Sequence, residues 1–419
     1  MSHVHHAPKT VKMGDPAFRA DPYPTYAWLR QHAPIIQVKA PFGFGKAYMV
    51  TRYEDVQAIF KDPRFSTDMR RRGSGEINGG FNRFMPRSVR ILGNQMVTQD
   101  DPNHARLKNL VHKAFTPARI ASLHSRIEII TKDLLDAAEK RDVIDIVEDF
   151  ALPLPMTVIS EMLGVPEHMR KPFRDLMTNM LDTPGFALSR FFRQFMTTRR
   201  LIRFLGDLID LRRREPDDGM ITALIAAEQK GDKGAGDKLD QEELIGMVFV
   251  LLLAGHETTV NLIANGTLAL LENPDQFRLL RDNPQHIKTA IEEFLRYTNP
   301  VEHGVVRFAS EDLPVLGVTI PKGSVVMAML SSANRDESVF KDPDKLDVTR
   351  DPNRHLAFGV GMHYCLGAPL ARMEGAIAIN ALLARFPHLQ LAIPPTAVRW
   401  RPSVANFRGL IALPVRTAA

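Results

Sequence analysis

A lone cysteine has the clearest chemical potential in this sequence. Cys365 is the only cysteine among 419 residues. Gly359 and Gly361 stand shortly before it, where they allow a tight turn and a close approach of the backbone to a flat group. An apolar helical pattern follows from Leu366 to Leu382, so the thiol lies near the positive end of a helix, which favours the thiolate. A thiolate framed by glycines suits an axial ligand of haem iron, and the alternative is a buried structural cysteine.

A polar stretch inside an apolar helix is the second candidate site. The run from Leu244 to Leu271 predicts a long helix, apolar nearly all round at its start and therefore buried. It contains the sequence Ala-Gly-His-Glu-Thr-Thr at residues 254–259. Ala254 and Thr258 share one helix face, while Glu257 is turned about a quarter turn away, towards water or a neighbouring helix. Such a break in the pattern is typical of a functional site, and the alternative is a kink with Thr258 bonded to its own turn.

The residues around Cys365 resemble a known signature. The segment Phe-Gly-Val-Gly-Met-His-Tyr-Cys-Leu-Gly, residues 358–367, is similar to the haem-binding sequence Phe-Gly-x-Gly-x-His-x-Cys-x-Gly of the cytochrome P-450 superfamily. The matching residues are Phe358, Gly359, Gly361, His363, Cys365 and Gly367. The resemblance implies a bacterial-type soluble haem-thiolate monooxygenase. In it Cys365 ligates the iron of haem b (iron protoporphyrin IX), and Phe358 and Gly359 belong to the cofactor-binding loop.

The polar stretch of the long helix resembles the oxygen-activation sequence of the same family, Ala-Gly-x-(Asp/Glu)-Thr. By this resemblance Thr258 hydrogen-bonds the dioxygen and Glu257 relays protons. Ala254 and Gly255 leave room for the oxygen beside the haem. The resemblance therefore implies that Thr258 and Glu257 are the catalytic residues.

Four further residues match positions that hold the haem propionates in this family. His104 and Lys108 correspond to the pattern His-x-x-x-Arg, with lysine in place of arginine, so the charge is kept and bidentate binding is lost. Arg307, in Val-Val-Arg-Phe-Ala, matches a propionate-binding arginine, and His363 resembles a further contact. Four donors for two carboxylates are reasonable, because buried propionates need partners.

Other family matches point to structure rather than catalysis. Glu293 and Arg296 fit the family sequence Glu-x-x-Arg, which forms a buried network with a later arginine, here Arg350. Arg335 and Asp336 match a common sequence with a packing role. The resemblance implies a mainly α fold, the helical triangular prism of the cytochrome P-450 family with small β-sheets. It assigns residues 21–419 to one catalytic domain behind a loose N-terminal tail, residues 1–20.

The substrate pocket is expected to be built from variable segments. The aperiodic residues 69–95 are typical of a flexible surface loop, and the resemblance implies that they form the lid of the substrate pocket. Helices at 173–180 and 189–211 are expected to bracket the pocket entrance. Residues 300–306 are expected to line the pocket, and a hairpin over 401–410 to touch the substrate near Val404. This sequence does not identify the substrate or its contacts within the lid.

Composition excludes several other classes of protein. The net charge of +6 and the pI near 9.4 come with basic runs that lack aromatic platforms or a nucleic-acid motif. We therefore expect no nucleic-acid partner. The N-terminus has no apolar signal region, and the run from Leu244 to Gly255 is shorter than the about 20 residues of a membrane span. One cysteine is compatible with a reducing cytosol. We expect a cytoplasmic protein without a membrane anchor.

The expected reaction inserts one atom of dioxygen into a hydrophobic small molecule of the terpenoid, steroid, fatty acid or macrolide type. Electrons are expected from a small acidic ferredoxin with its reductase. The cations proposed for the docking surface are Lys108, Lys113, Arg354 and Arg372. Two alternatives remain: a peroxide-driven peroxygenase, which the acid–alcohol pair Glu257–Thr258 disfavours, and a non-enzymatic haem-thiolate sensor, which needs no proton relay.

Overall fold

The structure, a computed structural model, describes residues 11–39, 46–69, 90–91, 93–181, 187–229, 239–402 and 406–417. Helices dominate these residues. They are α1 (Pro16–Ala20), α2 (Tyr23–His32), α3 (Tyr53–Lys61), α4 (Asn103–Ala114), α5 (Pro117–Ser122), α6 (His124–Ala138), α7 (Pro153–Leu163), α8 (Glu167–Leu181), α9 (Ala187–Arg214), α10 (Met220–Gln229), α11 (Gln241–Glu272), α12 (Pro274–Asp282), α13 (Ile287–Tyr297), α14 (Leu330–Ala333) and α15 (Ala368–Arg385). The predicted helices at 173–180 and 189–211 are confirmed as α8 and α9.

The strands are short and form three small sheets. They are β1 (Ile35–Lys39), β2 (Lys46–Val50), β3 (Phe65–Ser66), β4 (Val143–Asp145), β5 (Arg307–Ala309), β6 (Leu313–Val315), β7 (Val318–Ile320), β8 (Val325–Ala328), β9 (Gln390–Leu391) and β10 (Pro414–Arg416). The first sheet has the order β1-β2-β8-β5-β3, the second β4-β10-β9, and the third is the hairpin β6-β7. The expected mainly α architecture with small sheets is therefore confirmed.

The chain divides into two compact units. The first comprises Met1–Thr67, Glu128–Pro153 and Thr258–Ala419, and the second comprises Asp68–Ile127 and Leu154–Glu257. Every strand named above belongs to the first unit, whereas the described elements of the second unit are helical. Each unit is assembled from separate stretches of sequence, and a single catalytic domain over residues 21–419 stays a prediction.

The largest sheet is buried on both faces. In β2, Tyr48 and Val50 pack into one apolar cluster, and Ala47 and Met49 pack into another. Successive strand residues point to opposite faces, so a strand buried on both sides must be apolar at every position. Its partner β8 is buried at all four positions as well. This double burial fixes β5, and with it Arg307, in the interior.

The helix that follows Cys365 packs closely on the second half of α11. Gly375 in α15 allows this approach, because a Cβ atom at that position would lie 2.9 Å from the Cδ2 atom of Leu262. Real Cβ atoms do not come that close, so the two helices meet where one of them lacks a side chain. Residues 358–365, the cysteine loop, lead into α15, and Thr258 lies in α11. Both are therefore attached to helices that contact each other.

A buried ion network ties α13 to the loop that precedes the cysteine. Arg296 donates two hydrogen bonds of 2.7 Å to the carboxylate of Glu293. Arg350 donates to the same carboxylate over 3.1 Å, as does Asn353 over 3.0 Å. The predicted network of Glu293, Arg296 and Arg350 is confirmed, and it is structural.

The predicted packing role of Arg335 and Asp336 is also confirmed. The Arg335 guanidinium carbon lies 4.1 Å from the ring centre of Tyr23 and 3.7 Å from that of Tyr297, a cation–π arrangement. Asp336 accepts a hydrogen bond of 2.8 Å from the backbone amide of Tyr53 and so caps the start of α3.

One helix among the described residues is long and apolar enough to cross a membrane by length and composition alone. This helix is α11, and 72% of its most apolar window is buried inside the structure. Burial of most of this window among protein side chains is typical of a core helix. We therefore interpret α11 as the core helix that the sequence predicts.

Candidate active site

The backbone before Cys365 is wound into tight turns. Gly359 has φ +68° and Gly361 has φ +79°, values in the left-handed region that favours glycine. The amide of Cys365 donates a hydrogen bond of 3.0 Å to the carbonyl of Phe358, which closes the loop. A Cβ atom at Gly361 would lie 3.2 Å from the carbonyl oxygen of Phe60. The two glycines therefore have the turn function that the sequence predicts.

Cys365 lies just before α15 and is half-buried as a residue. The pKa of its thiol is raised, because desolvation outweighs the hydrogen bonds from the backbone amides of Gly367 and Ala368 and the charge of Arg372, which lower it. A thiolate can accept hydrogen bonds from these amides, whereas a neutral thiol does not need them. The donor set thus fits an anionic sulfur ligand to a metal.

One face of the buried helix α11 remains accessible. Ala254 is exposed, and Leu251, Gly255 and Thr258 are half-buried, whereas most of their neighbours are buried. These positions are spaced by three and four residues and form one stripe along the helix. The stripe carries small side chains and one hydroxyl group. Ala254 and Thr258 therefore share an open face, as the spacing predicts.

The acid of the polar stretch is not on that face. Glu257 is 2% exposed, so of the two expected surroundings, water or a neighbouring helix, water is excluded. His256 beside it is also buried and donates a hydrogen bond of 2.7 Å from Nδ1 to the carbonyl of Leu252. The carboxylate of Glu257 lies 4.0 Å from His256 Nε2. The polar residues of the stretch other than Thr258 are thus enclosed by protein.

A second buried carboxyl group lies on α15, behind Thr258. Glu374 is 1% exposed and packs by Thr259, the residue next to Thr258. Desolvation raises the pKa of Glu374 to about 8, and the hydrogen bond with Thr259 opposes this shift. The carboxyl group is therefore largely protonated at neutral pH. Glu374 has one signal in the sequence, a charged residue on the apolar face of a predicted helix, and no motif marks it as part of the site.

Two of the four predicted propionate ligands belong to the first unit. Arg307 is buried on β5 and donates a hydrogen bond of 3.1 Å to the carbonyl of Phe65. Its guanidinium carbon lies 5.3 Å from the ring centre of Phe60. His363 lies in the cysteine loop, with Nε2 3.4 Å from the hydroxyl of Thr67. Both side chains are positioned by β3 and its flanks, which the sequence analysis did not connect with the site.

The other two predicted ligands belong to the second unit. His104 and Lys108 are four residues apart on α4 and share one face, as predicted. His104 is buried, and desolvation lowers its pKa, with the charge of Lys108 as the next cause. At neutral pH His104 is therefore mainly neutral and offers an N–H donor rather than a charge. Lys108 is half-buried and supplies the cation of the pair.

A charged cluster that the sequence analysis missed supports the segment at 300–306. Glu302 is 0% exposed, and Arg19 contacts its carboxylate over 2.6 Å, with Arg408 at 3.9 Å. The chain around Arg408 pairs with this segment, because its amide donates to Pro300 O over 2.9 Å. Asn406 donates from its side chain to the carbonyl of His303 over 2.6 Å. A lone acid within an apolar stretch is the signal that could have revealed this cluster.

Some predictions fall outside the described residues. These are most of the lid at 69–95 and the hairpin tip around Val404. The two sides of that hairpin are described, and Arg401 N donates to Gly409 O over 2.8 Å. The hairpin is therefore confirmed up to its tip.

Comparison with known proteins agrees with this geometry. The family model "Cytochrome P450" matches residues 42–400. The chain is 43% identical over 413 residues to cytochrome P450 107B1 of Saccharopolyspora erythraea, covering 97% of each chain. It is 40% identical to the polyketide biosynthesis cytochrome P450 PksS of Bacillus subtilis, covering 95% of this chain and 96% of that protein. The myxobacterial cytochrome P450 CYP267B1, solved in complex with myristic acid, is structurally similar with a TM-score of 0.88 and 37% identity, covering 97% and 99% of the two chains.

The chain therefore belongs to the cytochrome P450 family. It is an oxidoreductase of the oxygen-incorporating, monooxygenase class. Members of this family bind haem b with a cysteine thiolate as axial ligand. Cys365 is the only cysteine of the chain, and the amide donors at its sulfur fit that role.

Proposed function

We propose that this enzyme hydroxylates a hydrophobic molecule of the fatty acid or polyketide (macrolide) type, with electrons from a ferredoxin and its reductase. Haem, when bound, would supply the oxygen chemistry, and Cys365 would hold its iron and donate electron density to it. The chain's own contribution is to hold the cofactor, orient the substrate and move protons. His104, Lys108, Arg307 and His363 hold the propionates, and Phe358 and Gly359 form the wall of the cofactor-binding loop.

The accessible stripe of α11 is the observation that supports this proposal best. Ala254 presents only a methyl group at this face, so a reacting group can approach the helix closely. Gly255 instead faces α7, where a Cβ atom would lie 2.8 Å from the Cδ1 atom of Ile159. Thr258 is the hydroxyl-bearing residue of this stripe, whose other members are Leu251, Ala254 and Gly255. Its hydroxyl both accepts and donates hydrogen bonds, so it can pass a proton to oxygen at that face. Glu257, one residue earlier and buried, serves as the relay that resupplies Thr258.

The expected substrate follows from the segment at 300–306 and from the relatives. Its charged and polar side chains, Glu302 and His303, are buried, and the partly accessible ones, Val301, Val305 and Val306, are apolar. Such a wall favours a neutral or long-chain apolar ligand. The name of PksS refers to polyketide biosynthesis, and CYP267B1 holds myristic acid. We place the enzyme in the cytoplasm, together with its redox partner.

Replacing Thr258 with alanine tests the proton-transfer role. Without the hydroxyl, electrons should still be consumed, but oxygen should leave as hydrogen peroxide, so product formation should fall roughly 10- to 100-fold. The measurement is product and peroxide formed per NAD(P)H consumed, with whichever of myristic acid or a macrolactone shifts the ferric haem from low to high spin. Thr259→Ala is the matched control, because Thr259 is buried against Glu374 and lies off the stripe.

If Thr258→Ala forms as much product per NAD(P)H consumed as the wild type, Thr258 does not have the proposed role. Ligand binding without turnover in either form would instead favour the sensor. A protein without turnover on NAD(P)H that reacts with added peroxide would favour the peroxygenase.

Fewer cations are available for binding a ferredoxin than the sequence predicts. Arg372 is paired with Glu292 through hydrogen bonds of 2.7 and 2.9 Å, so its side chain is already engaged within the protein and is less available to a partner. Lys113 is exposed in the last turn of α4, and Arg354 is exposed as well. We retain Lys113 and Arg354 as the cations for an acidic partner.

Lys113→Glu should weaken reduction by an acidic ferredoxin. Opposite charges speed the encounter of two proteins, so reversal should slow reduction roughly tenfold at low salt and less at high salt. Stopped-flow reduction by a plant- or bacterial-type ferredoxin measures the effect, and Lys288→Glu on α13 serves as a charge-matched control. An unchanged rate at low salt would exclude Lys113 from the docking surface.

A further inference from the structure

Three side chains form a charged cluster beside the cysteine loop, hereafter the Arg372 cluster: Arg372 on α15, Glu292 on α13 and His355 in the loop before Cys365. Arg372 binds the Glu292 carboxylate through Nε over 2.7 Å and through a terminal nitrogen over 2.9 Å. His355 Nε2 lies 3.0 Å from the same carboxylate. This bidentate geometry fixes the plane of the guanidinium group.

The hydrogen bonds define the charge of the cluster. The amide of Ala357 donates to His355 Nδ1 over 3.1 Å, so this nitrogen is an acceptor. The proton of a neutral imidazole then sits on Nε2 and is donated to Glu292. Desolvation alone raises the pKa of Glu292, but hydrogen bonds from Arg372 and His355 lower it to about 2. The cluster therefore holds one anion, Glu292, and one cation, Arg372, and His355 links the anion to the loop.

The cationic end of the cluster packs on the cysteine loop. The guanidinium carbon of Arg372 lies 4.5 Å from the ring centre of Phe358, and a terminal nitrogen lies 3.5 Å from the hydroxyl of Tyr364. Tyr364 immediately precedes Cys365. The charge of Arg372 also acts on the Cys365 thiol, as described above. Arg372 is thus the charged residue of the cluster that packs on Phe358 and Tyr364.

We propose that Arg372, held in place by Glu292 and His355, is a positioning residue whose charge sets the reduction potential of the cysteine-ligated haem. The inference rests on the proposed role of Cys365 as axial ligand. One-electron reduction adds a negative charge at the haem-thiolate centre, and a nearby cation favours the reduced state. Glu292 carries the opposite charge and opposes this effect. Both side chains are partly exposed, 37% for Arg372 and 27% for Glu292, so added salt should weaken the effect.

Opposite shifts in two single variants are the expected result. The holoproteins Arg372→Gln, Glu292→Gln and the double variant are titrated spectroelectrochemically with soluble mediators as the electron source. Arg372→Gln leaves an anion and should shift the potential to more negative values, whereas Glu292→Gln leaves a cation and should shift it to more positive values. Each shift should change the ferrous-to-ferric ratio at a fixed potential about threefold or more, where tenfold corresponds to about 59 mV. The double variant should return close to the wild-type potential, as should Arg372→Lys.

If Arg372 acted only by packing, the variants would behave differently, and the following results would contradict the proposal. If both single variants shift the potential in the same direction, or neither shifts it, the electrostatic role is wrong. It is equally wrong if Arg372→Lys shifts the potential as far as Arg372→Gln does. An intact thiolate spectrum with unshifted potentials refutes this inference alone. A wild-type protein without a haem-thiolate spectrum would instead refute the role of Cys365.

Discussion

Replacing Cys365 with alanine should abolish monooxygenase activity and eliminate the optical spectrum of a thiolate-ligated haem. The chain contains no other cysteine, so no second thiolate can take its place. The amides of Gly367 and Ala368 and the start of α15 would remain, but without sulfur they have no anion to stabilise. Residual haem would bind without its electron-donating ligand, and substrate oxidation should fall below detection. Absorption spectroscopy of the ferric and ferrous protein measures the loss of the thiolate.

Tyr364→Phe provides the matched control for this variant. Tyr364 is the neighbour of Cys365 in the same loop and is exposed, and its hydroxyl makes only a long contact of 3.5 Å with Arg372. The control should keep the thiolate spectrum and most of the activity. Circular dichroism should show that both variants retain their helices. A thiolate spectrum that persists in Cys365→Ala would contradict the central assignment of the site.

The parts of the structure that follow from sequence are those encoded within a few residues. The glycine turns before Cys365, the accessible face with Ala254 and Thr258, and the bidentate pair of Glu293 and Arg296 each depend on spacings of seven residues or fewer. In such cases helix geometry alone decides which side chains meet. The periodicity of α11 likewise predicted a buried helix.

The contacts that sequence did not reveal join distant parts of the chain. Arg19 contacts Glu302 and accepts a hydrogen bond from Arg408, 389 residues later, and Glu292 on α13 is bound by Arg372 on α15, 80 residues later. A buried charge is costly unless it finds its partner, so each of these residues requires a specific tertiary contact. No local pattern records which arginine will supply that contact. The sequence therefore predicted Arg372 as a cation for ferredoxin docking, whereas in the structure it is paired with Glu292.

Replacing Arg296 with alanine should be the most destabilising of the substitutions considered. Its side chain is fully buried, and besides Glu293 it donates to three backbone carbonyls, at distances of 2.7 to 3.1 Å. Removal leaves the buried carboxylate of Glu293 with Arg350 as its remaining cation and leaves the three carbonyls without this donor. Breaking one side of a buried ion pair costs about 3–5 kcal/mol. Urea denaturation of the holoprotein, followed by circular dichroism, measures the loss in free energy of unfolding.

Two further variants make this result interpretable. Arg296→Lys keeps the charge but loses the fork of donors, so it should be less destabilising than alanine and should still fold if alanine does not. Arg64→Ala removes an arginine that also binds a carboxylate through two nitrogens, Asp62 at 3.0 and 2.7 Å, but at the exposed surface. Solvent screens that pair, so its removal should leave stability close to wild type. Equal losses for Arg64→Ala and Arg296→Ala would show that burial does not control the strength of the network. A larger loss in free energy of unfolding for Arg296→Ala would instead support the role of this buried network in holding the loop before Cys365 against α13.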